Sequence, residues 1–463
     1  MRVQYFPQAR LRFGVAQRDT TPPNGIYMRS WGAAAVGKNA AEGIHRTHYI
    51  TASAFAPLDG GQPMVLVAMD IGWFQNMQDE TNLRQRILDQ TGLTSERLLL
   101  NMSHTHGSLN LNSEVVDRPG GHLLKPYLNH LSDQISSAVD EAISNLQPAW
   151  AMFGYGYSGL ATNRDYYDEE AKAWACGYNP ARIPDGTLLV GRVTSDDGRV
   201  LATLYNYACH PTTLAWDNWK LSPDFIGAAR EILEKLYNAP ALFLQGALGD
   251  QAPRDNYVGD TAIADKNGRQ LGYAAAGVIE GLAPAGTKMV YTGIMPSGAA
   301  LGTWAYAPLT DEERKPCELI EAQLQTVDLP KKQPIPTEKE LEANVANAKT
   351  QREQEITLRR LLLNKALGFD QVHHMPLWVW RIGQAALVAI CNEPYAVVQQ
   401  TIRKQFPDNA VFVLGTTNAS FGYLPPKDTF GQGIYQEWQS PYAAGCMELV
   451  TESSIDGITE IMR

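Results

Sequence analysis

The sequence predicts an α/β layer architecture, and three observations carry that reading. Short continuous apolar runs recur at Met64–Met69, 98–100, Ala241–Gln245, Ala385–Ile390 and 411–414. Such runs, apolar throughout apart from Gln245 at the end of one, read as strands buried on both faces. Between them lie segments with apolar residues at helical spacing, the clearest over 126–146 through Leu128, Leu131, Ile135, Val139 and Ile143. Finally, Ser195-Asp196-Asp197-Gly198 separates two strand-like runs, 188–193 and Val200–Tyr207, which is a hairpin signal. Strand, helix, strand, helix is the succession of a layered α/β protein.

Composition sets the broad class. The 463 residues are 44% hydrophobic and 19% charged, an ordinary balance with ample material for a core. We read one domain over 1–463. The net charge of -10 argues against nucleic acid or an anionic membrane as the main partner, since both call for a basic face. It leaves room for a local basic pocket. The expected partner is a small-molecule substrate, and the oligomeric state is left open. Cys176, Cys209, Cys317, Cys391 and Cys446 are odd in number and scattered, so they read as reduced, mostly buried thiols. No apolar run reaches the roughly 18 residues of a transmembrane helix. Residues 1–20 lack the apolar region of a signal peptide, so the expected location is the cytoplasm, or export after a signal peptide has been removed.

Along the chain, strands end in chemistry. Met64–Met69 runs into Asp70-Ile71-Gly72, where the carboxylate reads either as a helix cap or as a site residue. A helix over 78–90 follows, stopped by Gly92. The run 98–100 leads into Asn101-Met102-Ser103-His104-Thr105-His106-Gly107. Residues two apart in extended chain project to the same side, so His104 and His106 face one point, an economical start to a zinc site. Alone, the pair reads equally well as two polar residues at a strand end. Thr162-Asn163-Arg164 follows a Gly-rich strand. Val200–Tyr207 runs into Ala208-Cys209-His210-Pro211, and Pro211 takes the chain out of the ladder. Ala241–Gln245 ends at Gly246-Ala247-Leu248-Gly249-Asp250. Residues 308–368 are charge-rich and read as helical, with a capping box at Thr337 and Glu340 and a stop at Gly368; we expect a helical insertion or lid. Core strands then resume, and Ala385–Ile390 ends at Asn392-Glu393-Pro394.

Four strands thus end in a group able to bind metal or to catalyse: His104/His106, His210, Asp250 and Glu393. Strand ends gathered at one sheet edge are where α/β enzymes keep their sites. Two histidines, one carboxylate and an open position describe a catalytic zinc rather than a structural one.

In the same order, Ser103-His104-Thr105-His106-Gly107, Thr162-Asn163-Arg164, Ala208-Cys209-His210-Pro211, Leu248-Gly249-Asp250, Asn392-Glu393-Pro394, Gly422-Tyr423 and Tyr435-Gln436 resemble the catalytic domain of neutral ceramidases. The resemblance spans roughly 12–445, concentrated in those short motifs. It implies mixed sheets flanked by helices and a zinc-dependent amidase. It implies zinc ligands at His104, His210, Glu393 and Tyr423, and groups around the scissile amide at His106, Arg164 and Tyr435. One zinc per chain is expected, with a second, structural divalent cation as an option.

The departures shape the functional expectation. Ala252 stands where the family has a serine, Ser108-Leu109-Asn110 replaces its small residues, and 308–368 matches none of its motifs. A C-terminal immunoglobulin-like domain is not expected here. Asp250 and Arg254 are the candidate substrate contacts, with Trp216, Asp217 and Trp219 nearby in sequence. The expected function is a zinc-dependent hydrolase using metal-activated water on an amide or ester bond. Its substrate is expected to be small and polar rather than ceramide. The alternatives are a carbohydrate-active zinc esterase or lyase, a true ceramidase, and a non-enzymatic binding protein.

Overall fold

The computed structural model describes every residue except Met1, Arg29, Gly32 and 34–37. Two mixed sheets form its centre. The larger has eight strands in the order Ala241–Gln245, Val200–Tyr207, Thr187–Ser195, Gln147–Tyr157, Gln8–Asp19, Tyr49–Ala56, Met64–Met69, Leu98–Met102. Its outermost pair at each edge is parallel and the rest antiparallel. The smaller runs Ile320–Pro330, Val372–Ile382, Ala385–Ile390, Ala410–Leu414, with only the last pair parallel.

The apolar runs are apolar on both faces because both faces are covered. Leu66, Leu99, Leu242 and Leu244 share a core with Trp378, Trp380, Val411 and Val413 of the smaller sheet. Their neighbours Val65, Val67, Leu98 and Leu100 face the other way, against Leu83 and Ile87 of the Met77–Thr91 helix and Leu131, Ile135 and Val139 of the Leu124–Ser144 helix. Val190, Tyr205 and Phe243 pack on the Phe225–Tyr237 and Thr261–Glu280 helices. Each Leu or Ile so buried contributes about 1.5–3 kcal/mol. In the smaller sheet the alternation is visible on one strand. Trp378 and Trp380 donate to the Ser95 and Glu96 carbonyls beside the larger sheet, at 2.9 and 2.7 Å. Val379, between them, meets Gly457 of the Cys446–Ile461 helix. The layers are therefore helix, sheet, sheet, helix.

The expected helix over 78–90 runs Met77–Thr91, with Gly92 left-handed at φ 69°. The capping box of Thr337 and Glu340 opens the Glu338–Ala346 helix, and the Gln351–Leu367 helix stops at Gly368. One expectation needs correction. Residues 308–368 are not helical throughout, because Ile320–Pro330 is an eleven-residue strand paired along Val372–Ile382. It is an edge strand with one face largely open, so Thr326 and Asp328 on that face, and Glu321 near the start of the other, occupy exposed positions and mask its two-residue period.

Asn101 ties the two sheets together where the site lies. Its amide donates to Gly415 O and Thr417 Oγ1, both at 2.9 Å, and its carbonyl accepts from Gln245 N at 2.9 Å. One side chain thus pins the ends of Leu98–Met102, Ala241–Gln245 and Ala410–Leu414.

Candidate metal centre

Beyond these strand ends the chain is held by backbone hydrogen bonds. His104 N donates to Ile71 O at 3.0 Å and His106 N to Pro211 O at 3.1 Å. His104 sits at φ 63°, a left-handed conformation that a non-glycine residue keeps only when its surroundings impose it. His210 N bonds Gln251 O at 3.0 Å. Glu393 and Tyr423 lie opposite each other in a pair of two-residue parallel strands, Glu393–Pro394 and Tyr423–Leu424. Gly249 lets the loop after Ala241–Gln245 pack against the Glu393–Pro394 backbone. A Cβ there would stand 2.7 Å from Glu393 O and 2.9 Å from Pro394 O, which no side chain tolerates.

The side chains converge. Glu393 Oε2 lies 3.0 Å from His210 Nε2 and 3.5 Å from His104 Nε2. Tyr423 Oη is 3.4 Å from the same His210 nitrogen. Ring nitrogens of His104, His106 and His210 all fall within 4.8 Å of one another. Arg164, itself buried, donates to Tyr423 Oη at 3.0 Å and to Gly249 O at 2.9 Å, and lies 3.3 Å from His210 Nε2.

Hydrogen-bond geometry fixes the protons. His210 Nδ1 faces the carbonyls of Leu248 at 2.7 Å and Gln251 at 3.2 Å, so it carries the hydrogen. Its Nε2 then presents a lone pair to the Glu393 carboxylate. Protonating that nitrogen is opposed by burial and by the Arg164 charge, which push His210 down to about 3. Burial would raise the Glu393 carboxyl, but the neighbouring groups, His104 foremost, outweigh it and hold it well below the usual range. Arg164 reaches that lone pair from one side at 3.3 Å, but no hydrogen lies on the 3.0 Å line between the nitrogen and the carboxylate, and two buried acceptors so placed suit a shared cation.

His106 differs from its neighbours. It keeps some exposure, and neither ring nitrogen has a protein partner. Burial of the ring nitrogens and the neighbouring imidazoles keep it neutral, well below the usual range. Its ring packs 5.0 Å from both Trp31 and Trp73. Trp216 and Tyr257 extend this aromatic wall from Trp31. Tyr435 stands 5.7 Å from Tyr423; burial raises its hydroxyl and the Arg359 charge pulls against it. A cavity of about 670 Å³ lies against Trp31 and Trp73, between them and the Gln351–Leu367 helix.

Not every candidate reaches this cluster. Asp250 accepts from Ala396 N at 2.8 Å and Asn163 Nδ2 at 3.1 Å, and burial raises it to about 6; it ties two segments together. Arg254 is 63% exposed, pairs with Asp255 at 3.2 Å, and does not line the cavity. Ala252 is buried in the ladder opposite Thr162. Asp70 forms a buried ion pair with Arg230 and accepts from Tyr49 N. Sequence reasoning missed Trp31, Trp73 and Arg359. Trp73 had a signal, since it closely follows the strand end at Asp70; Arg359 had none.

Fold and cluster together define a layered α/β scaffold that gathers histidine, glutamate, tyrosine and arginine at one end of its strands. Among solved structures, it matches the crystal structure of neutral ceramidase from Pseudomonas aeruginosa, with a TM-score of 0.67 at 16% identity, over 99% of this chain and 75% of that one. A ceramidase complexed with C2 matches with a TM-score of 0.67 at 15% identity, over 98% of this chain and 75% of that one. No family model and no curated protein matches the sequence. The fold is that of neutral ceramidases.

Proposed function

We propose that this chain is a metal-dependent hydrolase that cleaves an amide, or an ester, of a small polar substrate with water. The observation that carries the reading is the His210 lone pair meeting the Glu393 carboxylate at 3.0 Å in a buried site. Two acceptors so placed call for a cation, and a proton is disfavoured there. Zinc suits imidazole and carboxylate donors. His104, His210 and Glu393 fit as its ligands, with Tyr423 completing the set. His106 lies as near in the histidine cluster, but neither Glu393 nor Tyr423 reaches it, and its greater exposure suits a proton carrier better.

Bound there, zinc supplies Lewis acidity and a water of pKa near 7. The chain's own residues supply the rest. In hydrolysis the water oxygen bonds to the acyl carbon, the C–N bond breaks, and the amine leaves with a proton. His106, neutral and with both ring nitrogens free of protein partners, accepts the water's proton and returns it to the leaving nitrogen. Tyr435 donates to the oxyanion as it develops. Arg164 holds Tyr423 in place through its hydrogen bond and is a positioning residue, as is Asp250.

Elemental analysis of protein purified without added metal should find about one zinc per chain. A panel of amides and esters, ceramide included, should show hydrolysis of polar members before ceramide. Protein that lacks zinc and gains no activity on reloading sinks the proposal. A second reading, an esterase or lyase acting on carbohydrate, draws on the wall of Trp31, Trp216 and Tyr257, whose faces suit a sugar ring. An acetylated glycan and a uronate-bearing glycan assayed beside that panel separate the two.

A further inference from the structure

The cavity beside the site is charged against the trend of the molecule. The chain carries a net -10. Yet Lys331, Lys332, Arg359 and Arg360 line this cavity against two carboxylates, Glu355 and Glu437. Two of the cations are held by backbone carbonyls: Lys331 donates to Gly368 O at 2.7 Å, and Lys332 to Glu437 O. Arg360 is exposed at the rim.

Arg359 is placed differently. It is half-buried on the Gln351–Leu367 helix, with its guanidinium carbon 5.8 Å from the centre of the Trp73 ring. Trp73 also reaches the site, its ring lying 5.0 Å from both His104 and His106. Among the described residues no carboxylate stands within ion-pair distance of Arg359. A half-buried guanidinium with a planar fork and no anion of its own is suited to take one from a ligand.

Resting on the hydrolase reading, we infer that the substrate carries a carboxylate close to the bond that is cut, and that Arg359 is the residue that recognises it. The substrate class is an N-acylated amino acid or a similar anionic amide. The acyl carbonyl lies toward His106 and Tyr435, and the carboxylate lies toward the Gln351–Leu367 helix. Trp73 sits between the two, stacking on Arg359 and bounding the histidines, so it sets the spacing between anion and scissile bond. This gives the helical segment a specificity role.

The test uses the zinc-loaded full chain and two probes that differ in one charge, N-hexanoyl-phenylalanine and its carboxamide. Binding is read by calorimetry and turnover by release of the amine. The anionic probe should bind tighter than the carboxamide by on the order of tenfold, the scale of one charge-assisted hydrogen bond. Arg359→Met, which keeps an apolar stem against Trp73, should collapse that ratio toward one, and Arg359→Lys should restore part of it. Equal affinity for the two probes in the wild type, no binding of either, or an unchanged ratio in Arg359→Met overturns the inference. Binding with the expected ratio but no turnover sustains the anion site and overturns the hydrolase reading instead.

Discussion

Glu393 and Tyr423 are register partners in a two-residue parallel ladder, and both reach the same atom, His210 Nε2, at 3.0 and 3.4 Å. Residues that face each other in a ladder project to the same side, so a pairing of only two residues places two donor atoms at once. The carboxylate comes from the end of one strand of the smaller sheet, and the tyrosine from beyond the next. The imidazole comes from the larger sheet. The cluster therefore exists only when the two sheets are packed together.

Removing His104 or His210 as alanine variants should take zinc content from about one equivalent to near zero and abolish hydrolysis. His106→Ala should also abolish hydrolysis while keeping most of the zinc, because Glu393 and Tyr423 converge on His210, and Glu393 also on His104, but not on His106. Elemental analysis of the three variants decides the matter. Equal zinc loss in all of them would make His106 a ligand.

Gly249→Ala should damage the site from outside it. The added methyl would meet two backbone carbonyls, Glu393 O at 2.7 Å and Pro394 O at 2.9 Å, and backbone cannot swing aside as a side chain can. Overpacking of this kind costs about 1–3 kcal/mol. Because the atom displaced belongs to Glu393, zinc affinity should fall with stability. Chemical unfolding and metal titration on the same variant check both. Wild-type stability with full zinc would show that the ladder can shift without consequence.

The strand ends made much of this cluster legible in the sequence. His104, His106, His210 and Glu393 all follow apolar runs that the structure folds as strands. Tyr423 was reachable only through the family resemblance, since a two-residue strand has no period to read. Arg254 misled because it is near the Gly-Asp motif in sequence, while the chain turns to the surface after the short strand Gln251–Pro253. Ile320–Pro330 misled because an open edge face carries polar residues. Arg359 was invisible: helical spacing shows that one face is buried, and not what that face meets.

Asp70 gives a control for the site assignment. It ends a central strand, as the site residues do, but its carboxylate is paired with Arg230 in a buried pair. Arg230→Met should strand that charge and cost about 3–5 kcal/mol, whereas the double variant with Asp70→Asn should recover most of the loss. Thermal unfolding reads the coupling. Zinc content should stay at the wild-type level in the double variant, and a drop there would return Asp70 to the list of site residues.

His48 makes a prediction about acid. It is fully buried, and burial, its largest cause, pushes it down to about 4, with Asp70 pulling up and Arg230 pulling down. In the unfolded chain it titrates near its ordinary value of about 6.5. Between those two values the unfolded state binds the extra proton, so stability rises with pH across that window and is fully present above it. Completing the titration is worth on the order of 3 kcal/mol. Glu80 acts with the opposite sign. Burial raises it to about 7, so it is protonated in the fold and ionised in the unfolded chain, and its contribution is lost as pH rises toward 7. The two overlap, and the wild-type profile alone cannot isolate either. The difference between wild type and His48→Asn can, because Glu80 and any release of metal act on both proteins alike. Denaturant unfolding from pH 7 down to pH 4 should show the wild type losing stability relative to the variant, most steeply below about pH 6.5. A difference that stays flat across that range would mean His48 does not titrate as a buried neutral group.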